Sequence, residues 1–194
     1  CNTGDIHING QEGANTMVLI DGLPLVSGLS TVYGLSGIPQ SLIKQVEVIK
    51  GPASTLYGSE AIGGVINLIT KLPESVHRFN IETYTTSWGE LNLDLGAKYK
   101  LKTIQGLIGV NYFNYSNPID NNGDGFTDLT LQHRISIFNK IKTKKNSVAF
   151  RYFYEDRWGG EMNWNSSYRG GNEVYGESIY TSRVELFGKY DVSE

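Results

Sequence analysis

The sequence of 194 residues contains a single cysteine, Cys1. One cysteine cannot form an internal disulfide, and it cannot supply a multi-cysteine zinc site. A mature lipoprotein begins with cysteine, but the residues that follow, from Asn2 to Gly10, are typical of the inside of a domain. We therefore favour an ordinary chain segment over a lipidated terminus.

Basic charge and long hydrophobic runs are also scarce. The chain has 17 Lys+Arg against 20 Asp+Glu, a net charge of −3. Its pI is about 5.7, and nucleic-acid-binding domains are usually far more basic. We expect no nucleic-acid partner. Apolar runs such as 17–20 are far shorter than the ~18 residues of a membrane-spanning helix, whereas a spanning β-strand needs only about 9 to 11 residues in alternation.

Catalytic patterns are missing as well. The three histidines, His7, His77 and His133, are scattered, and there is no H-E-x-x-H or G-x-S-x-G motif. We expect no enzyme activity. His133 is expected to be a lumen or core residue rather than a metal ligand, because it lies on a strand face.

Glycine and tyrosine are abundant, with 23 and 12 residues, as in exported all-β proteins. The composition changes near Pro73, which predicts one domain over residues 1–73 and a second over 74–194. In the first domain, short apolar runs at 17–20, 45–50 and 65–70 predict strands, and 40–43 and 54–57 predict helical turns. The first domain is expected to be a small α+β unit.

The second domain follows a period of two. Between Leu91 and Leu101 every odd position is apolar or aromatic, and the even positions are polar, charged or Gly. Six such strands are predicted, with short turns at 102–103 and 143–146 and long loops at 117–126 and 158–177. These features predict an antiparallel transmembrane β-barrel. Because the smallest bacterial barrels have about 8 strands, the chain is expected to be a piece of one.

Three stretches resemble the plug domain of TonB-dependent outer-membrane receptors. They are VLIDGLP at 18–24, IKQVEVIKGPASTLYG at 43–58 and AIGGVINLITK at 61–71. The resemblance implies the C-terminal half of a plug, followed by the first six of the family's 22 barrel strands. It also implies uptake of a scarce nutrient, cobalamin or a ferric siderophore or haem, across the outer membrane of a Gram-negative bacterium.

The same resemblance implies partners for the whole receptor. They are TonB with its inner-membrane energising complex, a small-molecule ligand and outer-membrane lipid, with a surface lipoprotein as a further candidate. The rival prediction from a different class is a secreted calcium-dependent β-sandwich binding module.

Several residues are candidates for binding. Glu47 and Lys50 are either plug-to-barrel polar contacts or a solvated pair on an edge strand. Ligand-binding candidates are the apolar and aromatic residues of the loop 24–37 and the aromatic and Arg residues of the last long loop. These candidates are Leu29, Val32, Tyr33, Trp158, Trp164, Tyr168 and Arg169.

The segment 120–128 resembles the start of a calcium loop. Asp120, Asn122 and Asp124 place oxygen-bearing side chains at alternate positions, with Gly125 sixth and Asp128 ninth. The bidentate Glu expected at the twelfth position is missing, so other loops would have to complete the shell. The alternatives are a calcium site and an Asn/Asp/Gly-rich turn that joins two strands.

Overall fold

The computed structural model describes residues 6–11, 13–25, 35, 38–190 and 192. They form two sheets, one of four strands in the order β2-β1-β4-β3 and one of six strands in the order β10-β9-β8-β7-β6-β5. The change from one sheet to the other falls after residue 70 and before residue 79. The division of the chain at residue 73 stays a prediction.

We call the four-stranded sheet the plug sheet. Its strands are β1 (Thr16–Ile20), β2 (Leu23–Pro24), β3 (Ile43–Lys50) and β4 (Gly64–Thr70). β1 pairs parallel with β4 and antiparallel with β2, and β3 pairs antiparallel with β4. All five residues of β1 are buried, which explains its unbroken apolar run.

Short helices surround the plug sheet. They are α1 (Ser54–Tyr57) and 3-10 turns at Gly13–Asn15, Gln40–Leu42, Ser59–Ala61 and Pro73–Ser75. The small α+β unit expected from the sequence is confirmed. None of the helices in the described ranges is long and apolar enough to span a membrane.

We call the six-stranded sheet the wall. It comprises β5 (Phe79–Thr85), β6 (Leu91–Leu101), β7 (Ile104–Tyr115), β8 (Leu131–Lys142), β9 (Asn146–Gly160) and β10 (Gly176–Tyr190). Every neighbouring pair is antiparallel. The predicted strands are confirmed within a few residues, except that β9 extends beyond both ends of the alternation of Val148, Phe150, Tyr152 and Tyr154. Its polar ends pair with β8 and β10 through backbone hydrogen bonds, for which side-chain pattern gives no signal.

The two faces of the wall differ in polarity. The inner face carries polar side chains that pack towards the plug sheet, and Asn92 and Asp94 there are only 6% and 2% exposed. The outer face carries the alternating apolar set, including Leu91 and Leu101, which are exposed. Apolar side chains outward and polar side chains inward are typical of a transmembrane barrel.

An aromatic row crosses the outer face near the long-loop ends of the strands. Tyr112, His133, Tyr154 and Tyr180 stack edge-to-face with centroid separations of 5.5, 5.8 and 5.6 Å. His133 therefore does not lie in the lumen or the core, as its strand position led us to expect, but among the outward-facing rings. Tyrosines are enriched where a membrane meets water, so this row marks a membrane interface.

One apolar core joins the plug sheet to the wall. Val18, Ile20 and Leu42 from the plug side pack in one cluster with Leu107 and Phe138 from the wall. Wall glycines make room for the plug. A Cβ atom on Gly109 would lie 2.6 Å from Leu42 Cδ1, and one on Gly96 would lie 2.9 Å from Ser41 Oγ. The close approach of the two sheets therefore requires glycine at these positions.

Candidate ligand-binding site

A buried polar network fixes the plug to the wall. Asp21 follows β1 in the left-handed region at φ 51°, where a non-glycine residue is uncommon. Its carboxylate accepts hydrogen bonds from the backbone N–H of Thr70 (2.9 Å) and from the Thr70 hydroxyl (2.8 Å). Lys140 of β8 donates from Nζ to Asp21 Oδ2 (2.8 Å) and to Thr70 Oγ1 (2.7 Å).

This network is largely removed from water. The side chain of Lys140 is 8% exposed and that of Asp21 is 23% exposed. Because a buried charge is tolerated only when it is paired and hydrogen-bonded, each of the two residues requires the other. The sequence analysis did not identify this pair. Its one local signal is a lysine at an inner-face position of β8, and nothing in the sequence connects that lysine to Asp21.

A second cluster of polar side chains lies on the inner face of the wall beside the plug. Asn111 Nδ2 donates to Asn92 Oδ1 (2.9 Å) and to Asp94 Oδ1 (3.2 Å). Arg134 Nε donates to Asn111 Oδ1 (3.2 Å), and its guanidinium lies 5.0 Å from the centroid of the Phe113 ring. A cavity of about 210 Å³ lies between these side chains and the plug residues 35, 38 and 40.

Charged side chains continue along the same face towards the long loops. Glu155 is 1% exposed, and its Oε2 lies 2.9 Å from Arg157 Nε. Its Oε1 lies 3.8 Å from Arg134 Nη1, and Gln132 donates to the same oxygen. Two guanidinium groups therefore share one carboxylate. An anion that reached this part of the inner face would find donors that are already held in position.

A wider cleft of about 480 Å³ opens between the two long loops. Tyr115, Gln132 and Gly159 line its wall side, and the acidic residues Asp128 and Glu177 line its loop side. Trp158 packs beside it against the aromatic cluster that contains Tyr115. None of the predicted ligand-binding residues among those described lines this cleft.

The other predicted ligand-binding residues occupy different places. Leu29, Val32 and Tyr33 lie outside the described residues. Trp164 is 8% exposed, because its indole packs against Gly176. Tyr168 ends a short 3-10 turn, Ser166–Tyr168, and is half-buried.

Arg169 folds back from the last loop onto the wall. It donates from Nη2 to Asp156 Oδ1 (2.7 Å) and from Nε to Ser178 Oγ (3.0 Å). Arg169 and Trp164 thus stabilise the fold of their own loop. A ligand-binding role for the predicted residues of this loop stays a prediction.

Glu47 and Lys50 lie on β3 and are exposed. The Glu47 carboxylate accepts hydrogen bonds from Gln45 Nε2 (2.7 Å) and Asn67 Nδ2 (3.0 Å), both within the plug sheet. Within the described residues, neither side chain pairs with the wall. Their predicted plug-to-barrel contact therefore stays a prediction that needs strands from outside this chain.

The segment 120–128 folds as a tight turn. The Asp120 carboxylate accepts hydrogen bonds from the backbone N–H groups of Gly123 (2.7 Å), Asp124 (3.2 Å) and Gly125 (2.9 Å). Asp124 Oδ1 accepts from Phe126 N (2.8 Å), and Asp128 Oδ2 accepts from the backbone N of residue 121 (2.8 Å). Across the described ranges, no group of three or more His, Cys, Asp or Glu is arranged to hold a metal. Calcium binding at Asp120, Asn122, Asp124 and Asp128 stays a prediction.

The architecture defines a class of protein. Long antiparallel strands with an apolar outer face hold a small α+β domain against their polar inner face, which is the arrangement of a plugged outer-membrane barrel. Six neighbouring strands form part of such a barrel's wall. The rival β-sandwich module is not supported, because the alternating apolar face of the wall points away from the second sheet.

Part of the chain matches a known family of proteins. Residues 1–65 match the TonB-dependent receptor plug domain. A probable TonB-dependent siderophore receptor, PirA of Acinetobacter baumannii, is 38% identical over 95 residues, which cover 44% of this chain and 13% of that protein. Over its matched residues the chain is thus similar to TonB-dependent receptors of the Gram-negative outer membrane.

Solved structures of such receptors share the fold. The siderophore receptor PiuA of Acinetobacter baumannii superposes with a TM-score of 0.62 at 18% identity, over 98% of this chain and 28% of that one. A mutant of the ferric enterobactin receptor PfeA of Pseudomonas aeruginosa gives 0.63 at 17% identity, over 96% of this chain and 32% of that one. This chain therefore spans about a third or less of the length of the proteins it matches.

Proposed function

We propose that the receptor to which this chain belongs imports an iron–siderophore complex across the outer membrane, with energy delivered by TonB. The main support for the proposal is that a domain similar to the plug family packs against the inner face of the wall, whose outer face is apolar. The relatives reported above are named for siderophores, which favours this ligand class over the cobalamin and haem that the sequence left open. The receptor changes no bond of its ligand and is not an enzyme.

The geometry suggests which parts of the receptor would bind the ligand and which would close the lumen. The ligand would bind on the long-loop side of the plug, where Arg134 and Arg157 share the single carboxylate of Glu155. Guanidinium groups suit the oxygen-rich, anionic surface of a ferric siderophore. The plug would close the lumen until TonB acts on the receptor. Outer-membrane lipid would contact the outer face, and a surface lipoprotein would be a further partner of the receptor.

Uptake of radioactive iron by whole cells tests this proposal. Cells that lack the receptor gene should lose uptake of one ferric siderophore from a panel, and the full-length gene should restore it only in cells that have TonB. Cobalamin and haem serve as comparison ligands in the same cells. Iron uptake that is equal with and without the receptor for every siderophore, together with lost uptake of cobalamin or haem, would refute the siderophore assignment.

We further propose that the segment 120–128 binds calcium weakly. Its oxygen-bearing side chains stand at alternate positions of a turn in which Gly123 and Gly125 have positive φ, at 74° and 83°. Because the Glu at the twelfth position is missing, we expect a dissociation constant for calcium like that of extracellular modules, about 10⁻⁴ to 10⁻³ M. Asp124→Asn should abolish protection of this loop from protease by calcium, because it removes a ligand charge but keeps an oxygen for the Phe126 N–H bond.

The matched control is Glu173→Gln, an exposed acidic residue of the other long loop. This variant should keep any protection that calcium gives to the unmutated receptor. If calcium does not change proteolysis of the unmutated receptor, the segment is only a turn.

A further inference from the structure

The short-turn end of the wall concentrates positive charge. Two adjoining clefts of about 510 and 770 Å³ share Glu74, Lys100 and Gln105 in their linings. Six lysines and one arginine line the two clefts, and Glu74 is the one acidic residue among the lining residues. We call the lysines the lysine mouth: Lys98, Lys100, Lys102, Lys142, Lys144 and Lys145. A chain with a net charge of −3 thus places seven of its 17 basic residues at one end of one sheet.

Register shows that Lys100 and Lys142 of the lysine mouth point into the lumen. Gln105 of β7 pairs with Lys100 of β6 on one side and with Lys142 of β8 on the other. The three side chains therefore form one row on one face. That face is the inner one, because Lys140, two residues before Lys142 on β8, reaches the plug residue Asp21.

The outer face at the same end carries no such charge. Its strand residues are uncharged and mostly apolar or aromatic, and they include Leu101, Ile141, Val148, Leu186 and Tyr190. Head groups of the surrounding lipid would contact the outer face, where the strands of this chain offer them no lysine. The distribution of charge thus favours an anion inside the barrel over an anion in the membrane.

Acidic partners for these lysines are not found in the part of the chain that the structure describes. Within the described residues, none of the six forms an ion pair. A cleft lined by charge of one sign concentrates ions of the opposite sign. A lysine ammonium is a point charge on a flexible stem and does not impose the planar geometry of an arginine. The arrangement suits weak binding of a multivalent anion in several orientations.

We propose that the lysine mouth is a low-affinity binding site for an anionic chelate as it leaves the barrel. The inference rests on the proposed function, since it takes the imported ligand to be anionic. The mouth lies at the opposite end of the strands from the arginines of the candidate ligand-binding site. An anion that passed the plug would therefore meet the lysine mouth last, and weak binding there would favour its forward movement without holding it.

Fluorescence quenching in the full-length receptor tests this site. Thr103, which lines the larger cleft, is replaced by cysteine and labelled with a fluorophore in a Cys1→Ser background. The probes are ferric tris(catecholate), a trianion, and ferric tris(acetohydroxamate), which is neutral. The trianion should quench saturably, and the neutral chelate should not. Quenching should weaken strongly at about 1 M salt, where the screening length is only about 3 Å.

Two double variants give the matched comparison. Lys102→Gln with Lys144→Gln should weaken quenching by the trianion roughly three- to tenfold, because two nearby charges are lost. Lys44→Gln with Lys50→Gln removes the same charge from exposed positions on β3 of the plug sheet. This control should leave the quenching unchanged.

Three results would overturn the inference. Equal quenching by both chelates would indicate collisions alone. An unresponsive label would show that other parts of the receptor already neutralise the lysines. Loss of quenching in phosphatidylglycerol nanodiscs but not in phosphatidylcholine nanodiscs would assign the mouth to lipid head groups. Iron uptake by cells is measured separately, so a failed quenching experiment with intact uptake would refute the lysine mouth and leave the proposed function standing.

Discussion

Replacement of Lys140 by methionine would test the polar network between the plug and the wall. Methionine keeps most of the apolar stem and removes the ammonium group. Loss of one partner from a fully buried pair costs about 3 to 5 kcal/mol. Asp21 keeps two hydrogen bonds from Thr70 and is 23% exposed. We therefore expect a smaller cost, about 2 kcal/mol in the free energy of opening of the plug sheet.

Amide hydrogen exchange of the full-length receptor measures this cost locally. The amide of Thr70 donates to Asp21 Oδ1, and the amide of Asp21 donates to Leu68 O. Exchange of peptides that contain these amides should become roughly thirtyfold faster in the Lys140→Met variant, the factor that corresponds to about 2 kcal/mol. Lys142→Met, two residues along the same strand face, should change this exchange by less than about twofold, because the half-buried Lys142 forms no ion pair with a described residue.

A double-mutant cycle separates the ion pair from general damage. Asp21→Asn removes the charge but keeps a residue that tolerates the left-handed backbone at φ 51°. Because Lys140→Met leaves the Asp21 carboxylate without its cation, adding Asp21→Asn should restore part of the lost protection, with a coupling of about 1 to 2 kcal/mol. Additive effects of the two substitutions would refute the conclusion that this pair joins plug to wall.

Three further predictions concern the wall. Gly109→Ala should weaken plug docking by about 1 to 3 kcal/mol in the same exchange experiment, because its Cβ would press on Leu42. Leu95→Arg should cost about 2 to 4 kcal/mol in folding into liposomes, against little for Lys98→Glu on the inner face, and equal costs would contradict the assignment of faces. On intact cells, an impermeant maleimide should label a cysteine at Ser167 and spare one at Thr143, and the reverse pattern would invert the orientation.

The sequence alone determined the strands and their faces. A period of two marks each wall strand, because successive side chains of a strand point to opposite faces and only one face meets lipid. The Asp21-Gly22 dipeptide is typical of a tight turn, and both residues adopt positive φ there, at 51° and 82°. The family was readable for a similar reason, because the plug motifs are contiguous stretches of chain.

Only the tertiary structure decided which residues meet across the fold. Lys140 and Asp21 are 119 positions apart, and Leu42 finds its space beside Gly109 of a different sheet. The alternation of apolar and polar residues predicts that a side chain points inward, but it does not identify the plug residue that the side chain contacts. That depends on how the plug sheet is placed against the wall, and the placement follows from the summed packing of many side chains. Arg169, predicted to bind ligand, instead pairs with Asp156, because a loop's path over the surface is set by contacts that no local pattern encodes.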